Sequence, residues 1–255
     1  MLLFPCFLIL ITSCGNQVTK KVGHNNRREI IEQVDKKSAE AINVELGVGY
    51  LKRGKESDID IALEKFKKAV SINPKYALAH SMLATVYDKK GLFENAEIHY
   101  KQSFKHNNGS PDIINNYANF LCQRGEHKLA VEKYMLIVDD PQYKTPEAAF
   151  ENAGICSSKA GNNKLAETYF RKALAINKKM PNSLYYLMKI YLDENKYMKS
   201  RAFLQRLEQV VQPTSEMLAA GYSIEKALNH DKLAQKYLTT LKNRYPHSDS
   251  LKDIK

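Results

Sequence analysis

Tryptophan is absent from the 255 residues, and glycine and proline are scarce at 11 and 8. With so few helix breakers and an abundance of Ala, Leu, Lys, Glu and Tyr, the composition favours an all-helical protein. Cysteine is confined to positions 6, 14, 122 and 156. These four form no CxxC pair and have no His at metal-ligand spacing, which removes the usual zinc patterns. Cys122 and Cys156 lie in helical runs and read as small apolar packing residues. Catalytic signatures are lacking too: the chain contains no GxSxG, HExxH, Walker loop or GxGxxG. The seven histidines are scattered, and His80, His99 and His127 fall at helix positions that suit packed or surface residues. No enzyme, metal, cofactor or small-molecule substrate is expected.

What the chain does have is charge, a formal net +11. An excess of this size suits nucleic acid or an anionic surface. Lys and Arg are distributed along the whole chain, mostly beside Glu or Asp on polar helix faces, so an ordinary solvated surface is expected and nucleic acid is not.

The one long apolar run is Met1 to Ile11, MLLFPCFLILI. It is too short for a spanning helix and suits the apolar region of a signal peptide. No Lys or Arg precedes it, which suggests that translation starts upstream of Met1. Ile11-Thr12-Ser13-Cys14 follows and resembles a bacterial lipobox. Residues 1–13 are therefore expected to be a lipoprotein signal peptide and Cys14 the lipidated residue, with a plain secretory signal as the alternative. Gly15, where Asp would signal inner-membrane retention, implies by the same resemblance an outer-membrane, periplasm-facing location. Residues 14–38 are polar and read as a flexible tether.

From residue 39 onward the chain repeats itself. Ala84, Tyr87, Gly91, Ala96 and Tyr100 are matched 34 residues later by Ala118, Leu121, Gly125, Ala130 and Tyr134. Small residues belong where two helices cross, large ones beside them, and glycine at the turn. This period resembles the tetratricopeptide repeat (TPR), whose helix pairs bury their apolar faces only by stacking. About six pairs are expected over residues 39–255, forming an all-α, right-handed solenoid. Repeat one has Leu46, Gly47, Tyr50, Gly54, Ala62 and Phe66, with a three-residue insertion that is expected to form a loop over Lys55 to Asp60. Repeat four has Gly154, Gly161, Ala166 and Phe170 and follows a long connection containing Pro141 and Pro146. Repeat five keeps its apolar positions, while Asn195 and Ser200 replace Gly and Ala. Repeat six, with Gly221 and Ala234, slips by one residue.

Resemblance to TPR proteins places groove-facing residues at positions two, five, nine, twelve and thirteen of the first helix of each pair. These include Val44, Val48 and Leu51; Leu78, Ser81, Thr85 and Asp88; Asp112, Asn115, Asn119 and Cys122; and Ala148, Glu151, Ile155 and Ser158. Such grooves bind peptides or partner helices. Asn115 can donate and accept at once, which suits an extended peptide backbone. Asn116, Asn119 and Asn152 equally match positions where Asn is common in any TPR. The apolar set of repeat one is open to burial by the tether or by a preceding helix.

Three stretches resemble the PilF/PilW family of type IV pilus biogenesis lipoproteins. They are Glu45-Leu46-Gly47-Val48-Gly49-Tyr50-Leu51-Lys52-Arg53-Gly54 in repeat one, Asn115-Asn116-Tyr117-Ala118-Asn119-Phe120-Leu121 in repeat three, and Phe150-Glu151-Asn152-Ala153-Gly154 after the long connection. The resemblance implies a pilotin, a lipoprotein that binds the pilus secretin subunit and promotes its outer-membrane localisation and multimerisation. The alternative is a TPR lipoprotein adaptor that recruits cell-wall enzymes or outer-membrane assembly factors.

Overall fold

The structure is a computed structural model that describes residues 38–107, 109–252 and 254. The expected signal peptide, the lipidated Cys14 and the tether up to residue 37 lie outside the described residues. From Ala39 the chain forms twelve α-helices and a short 3-10 turn, with no strand among the described residues. Successive helices pack as antiparallel pairs: α1 (Ala39–Arg53) with α2 (Glu56–Ile72), α3 (Ala77–Lys89) with α4 (Phe93–His106), and α5 (Pro111–Gln123) with α6 (His127–Met135). Then come α7 (Pro146–Lys159) with α8 (Asn163–Ile176), α9 (Pro181–Asp193) with α10 (Tyr197–Glu208), and α11 (Ser215–Ala227) with α12 (Asp231–Arg244). The six expected repeats are all present, and the chain is an all-α TPR solenoid.

Local sequence sets the ends of these helices. Pro111, Pro146 and Pro181 open α5, α7 and α9, where the missing N–H has no intrahelical acceptor to lose. Asn162 caps α8 by accepting from the Leu165 N–H at 3.1 Å. The turn within each pair needs one residue at positive φ. Gly91 supplies it in repeat two at 72°, and Asn195 and Asn229 do the same work in repeats five and six at 56° and 61°. Asn tolerates this region better than other residues with a Cβ, which explains the replacement of glycine. Asn229 follows Gly221 by eight residues, whereas Gly91 follows Ala84 by seven, and this is the one-residue slip in repeat six.

The small/large code is the packing code. Ala84, Ala96, Ala118, Ala130 and Ala166 are fully buried at helix crossings, with Phe66, Tyr134 and Phe170 filling the space beside them. In repeat five Ser200 sits at the small position, wholly buried, and donates its hydroxyl to the Met188 carbonyl at 2.7 Å. That bond removes the cost of burying a hydroxyl.

Two expectations are corrected. The insertion in repeat one is not a loop: only Gly54 and Lys55 separate α1 from α2, and residues 56–60 are the first turn of a lengthened α2. Asp58 holds that turn down, because its buried carboxylate accepts two hydrogen bonds from the Arg53 guanidinium, at 2.8 and 2.9 Å. An acidic residue in a first turn also complements the helix dipole. Second, Cys122 and Cys156 are not separate packing residues but a disulfide joining α5 to α7. One repeat period brings the two neighbouring first helices side by side, with the two Cα atoms 5.7 Å apart.

The long connection between repeats three and four is structured by its own apolar residues. α6 stops after nine residues, and Ile137 and Tyr143 then turn into the core at 1% and 8% exposure.

Candidate functional site

The first helices of the pairs line one side of the stack, so the expected groove residues can be placed directly. Position five is not surface. Val44, Ser81 and Glu151 are buried at 3%, 0% and 8% exposure, where one first helix meets its neighbours. Glu151 shows why: it reaches from α7 to the start of α9, accepting from the Ser183 N–H at 2.9 Å, its hydroxyl at 2.7 Å and Asn182 Nδ2 at 3.1 Å. Met180, the N-cap of α9, offers no side-chain acceptor, so a carboxylate from the preceding repeat caps the helix instead. This is a structural tie between repeats and is unavailable to a ligand.

Position nine is half-buried. Val48, with Leu51 from position twelve, packs on the repeat-one core and Ile155 on the core of repeats four to six. Thr85 donates to the Ser81 carbonyl at 2.9 Å and lies 3.3 Å from the Tyr100 hydroxyl. Asn119 accepts from the Tyr134 hydroxyl at 2.6 Å and from Asn152 Nδ2 at 3.3 Å, and Asn116 reaches the Ser81 hydroxyl at 3.5 Å. These amides bind repeat to repeat, in line with their being common in TPRs. Asn115 differs: its Oδ1 is buried and accepts no hydrogen bond from the described residues. Along the same face Leu78 is 38% exposed, Asp112 is exposed, and Asp88, Ala148 and Ser158 are half-buried. Burial raises the Asp88 carboxyl above its ordinary value, and the Arg124 charge pulls it partly back. Burial likewise pushes the Tyr100 and Tyr134 hydroxyls up.

Repeat two carries a histidine pair. His80 Nδ1 lies 2.8 Å from His99 Nδ1, and His80 Nε2 lies 3.0 Å from the Pro74 carbonyl. A carbonyl only accepts, so His80 carries a proton on Nε2, and at the Nδ1–Nδ1 contact one ring donates to the other. Burial, with the neighbouring His80 adding to it, lowers the His99 pKa from 6.5 to about 4. The His99 ring packs between His80 and Tyr87.

The strongest docking feature is one that the groove register did not single out. In α1 the outward face carries Ile42 and Leu46 at 45% and 47% exposure, with Gly49, Tyr50 and Arg53 along the same shallow cleft of about 470 Å³. The equivalents of Leu46 in repeats two to five, namely Leu83, Tyr117, Ala153 and Leu187, are at most 6% exposed. Each is covered by the helix pair before it. Among the described residues no pair precedes α1, and so repeat one presents an interior-type apolar face outward. Arg53 stacks on the Tyr50 ring at 4.5 Å while its charge is held by Asp58, which closes the cleft with a fixed wall. The signal was in the sequence: Leu46 and Tyr50 are consensus core residues in a repeat that no other precedes among the described residues.

A stacked-helix scaffold that carries an uncovered apolar cleft belongs to the class of TPR protein-interaction proteins. No family profile matches the chain. Its sequence is 27% identical over 205 residues to the type IV pilus assembly protein PilF of Pseudomonas aeruginosa, covering 80% of each chain. Its fold superimposes on the crystal structure of PilW, a widely conserved type IV pilus biogenesis factor, with a TM-score of 0.74 and 27% identity, covering 86% of this chain and 99% of PilW. The Pseudomonas aeruginosa PilF structure gives a TM-score of 0.74 at 26% identity, covering 84% and 96%. Together these similarities support kinship with the PilF/PilW family of TPR proteins and a role in type IV pilus biogenesis through protein partners.

Proposed function

We propose that the protein is a pilotin: an outer-membrane lipoprotein, anchored through Cys14, that binds the type IV pilus secretin subunit and promotes its localisation and multimerisation. The observation that carries this reading is the uncovered face of α1, where Ile42 and Leu46 stand open in positions that the other repeats bury. Such a face takes an apolar helix or strand of a partner, which then sits where the other repeats have a preceding helix pair. An unassembled pore subunit has apolar surface that is buried only on assembly, and the α1 face covers it in the meantime. No covalent chemistry is required. Two or more acyl chains on Cys14 make membrane attachment persistent, whereas one chain is marginal.

The test is co-purification from detergent-solubilised outer membranes, comparing the intact protein with an Ile42→Asp, Leu46→Asp variant. Because both side chains are exposed, the substitutions leave the core intact, which circular dichroism checks. Secretin recovered with the intact protein and lost with the variant supports the reading. Secretin retained at the same level removes α1 from it, and recovery of cell-wall enzymes or assembly factors in place of secretin overturns it.

A further inference from the structure

The positive charge of the protein is segregated along the chain, contrary to the even distribution expected from the sequence. Residues 159–208 hold 11 Lys and Arg against 4 Asp and Glu, a net +7, while residues 109–158 hold 4 against 7, a net −3. The basic stretch corresponds to α8, α9 and α10. Here lies a cleft of about 680 Å³ between the second helices of repeats four and five. It is far along the stack from α1, and no step of the proposed secretin binding uses it.

The cleft has an apolar floor and a cationic rim. Leu174 and Phe203 form the floor at 7% and 9% exposure, and Arg171, Lys178, Lys179 and Arg206 surround it. The two guanidinium groups lie over the Phe203 ring, Arg171 at 5.9 Å and Arg206 at 5.3 Å from its centre. Stacking of this kind holds planar donors in place with their N–H groups directed sideways. Arg206 also donates to the Lys178 carbonyl at 3.3 Å, which fixes the rim from α10 to the end of α8. Arg171 is partly engaged by Glu167 and by the Tyr191 hydroxyl. Lys178 and Lys179 are exposed. Cations around a recess reinforce one another's field, which raises the local concentration of anions.

We infer that this cleft is a second docking site, and that its occupant is an acidic peptide segment of a protein partner, with carboxylates on the rim and an apolar side chain on the Leu174–Phe203 floor. Three features select a peptide over a membrane surface. The site is recessed, so a planar bilayer meets its rim but not its floor. The floor accepts one or two side chains. The Arg206 guanidinium and the exposed Lys178 and Lys179 ammonium groups match carboxylates.

The test is fluorescence anisotropy with the full chain and a labelled peptide of alternating Asp or Glu and Leu or Phe, against the same peptide with Asn and Gln in place of the acids. The expected result is binding of the acidic peptide only, weakened by salt. A Lys178→Glu, Lys179→Glu, Arg206→Glu variant loses about tenfold or more in affinity. A variant with the same charge change elsewhere, Lys67→Glu, Lys68→Glu, Lys75→Glu, loses less than about twofold, since exposed charges beyond a Debye length are screened. Equal losses in the two variants reduce the effect to net charge and overturn the site. Sedimentation with phosphatidylglycerol vesicles is the second arm. If vesicle binding falls in the first variant and peptide binding does not, the cleft is a lipid-surface site and the proposal is wrong.

Discussion

Gly47 and Gly49 stand two residues apart in α1, and the structure assigns opposite signs to the same substitution at each. A Cβ built on Gly47 meets three carbons of the Phe66 ring, two of them at 2.8 and 2.9 Å and the third closer still. Phe66 is fully buried with Ala62 and Ala69 beside it, so the ring has nowhere to go. Overpacking of this kind costs about 1–3 kcal/mol, and the better helix propensity of Ala returns about 1 kcal/mol. With three clashing atoms on an immobile ring the upper part of the range applies, and Gly47→Ala should destabilise by about 1–2 kcal/mol. A Cβ on Gly49 meets nothing within 4 Å. Gly49→Ala should therefore stabilise by about 0.5–1 kcal/mol through propensity alone. The two variants should differ by about 1.5–3 kcal/mol, or roughly 3–12 °C in Tm for a domain of this size. Urea unfolding followed by circular dichroism measures both. Adding Phe66→Leu should make room at Gly47 and give a non-additive double-mutant cycle. Gly47→Ala as stable as Gly49→Ala would refute the packing argument, and with it the claim that the first pair is spaced by this glycine.

Further outcomes follow from the ties between repeats. Reduction, or Cys122→Ser with Cys156→Ser, removes a crosslink with a sequence separation of 34 and should lower stability by about 2–4 kcal/mol, read as a shift in the denaturation midpoint with and without dithiothreitol. Glu151→Ala leaves the start of α9 uncapped and should cost about 2–3 kcal/mol, with Glu151→Gln milder; a loss under about 0.5 kcal/mol on urea titration contradicts the capping role. The His99 ring binds its proton near pH 4 when folded and near 6.5 when unfolded. The unfolded chain thus takes up more protons between these values, so this contribution to stability falls as pH drops from about 6.5 and levels off below about 4. Because the ring is partly exposed, the undiscounted shift is reduced to about 1–2 kcal/mol, and His99→Asn should flatten that part of the stability–pH curve.

The repeat scaffold was legible because its code is short-range and strict. Ala84 and Tyr100 declare a crossing and its filler, and even the degenerate fifth repeat kept the logic, with Asn195 taking the positive φ and Ser200 satisfying its own hydroxyl. The insertion misled because Lys55 to Asp60 looks like a polar loop; the Arg53–Asp58 pair that makes it helical bridges a turn whose geometry the sequence does not show. The disulfide was hidden by register. Repeat four starts two residues late, so Cys122 and Cys156 occupy different repeat positions although they are 34 apart. The groove was only half legible. A position number says which way a side chain points, but not whether a neighbouring helix or a capping carboxylate has covered it, as happened at Val44, Ser81 and Glu151. Conversely, Ile42 and Leu46 look like core by register, yet among the described residues no helix pair precedes α1 to cover them.

The most direct measurement is the state of the secretin in cell envelopes. In a strain lacking this protein and complemented with either the intact chain or the Ile42→Asp, Leu46→Asp variant, secretin is run on unheated denaturing gels, with the level of the complementing protein checked by immunoblot. The account predicts high-mass secretin multimers and surface pili with the intact chain, and monomeric secretin without pili with the variant at equal protein level. Multimers and pili at full level with the variant would contradict it.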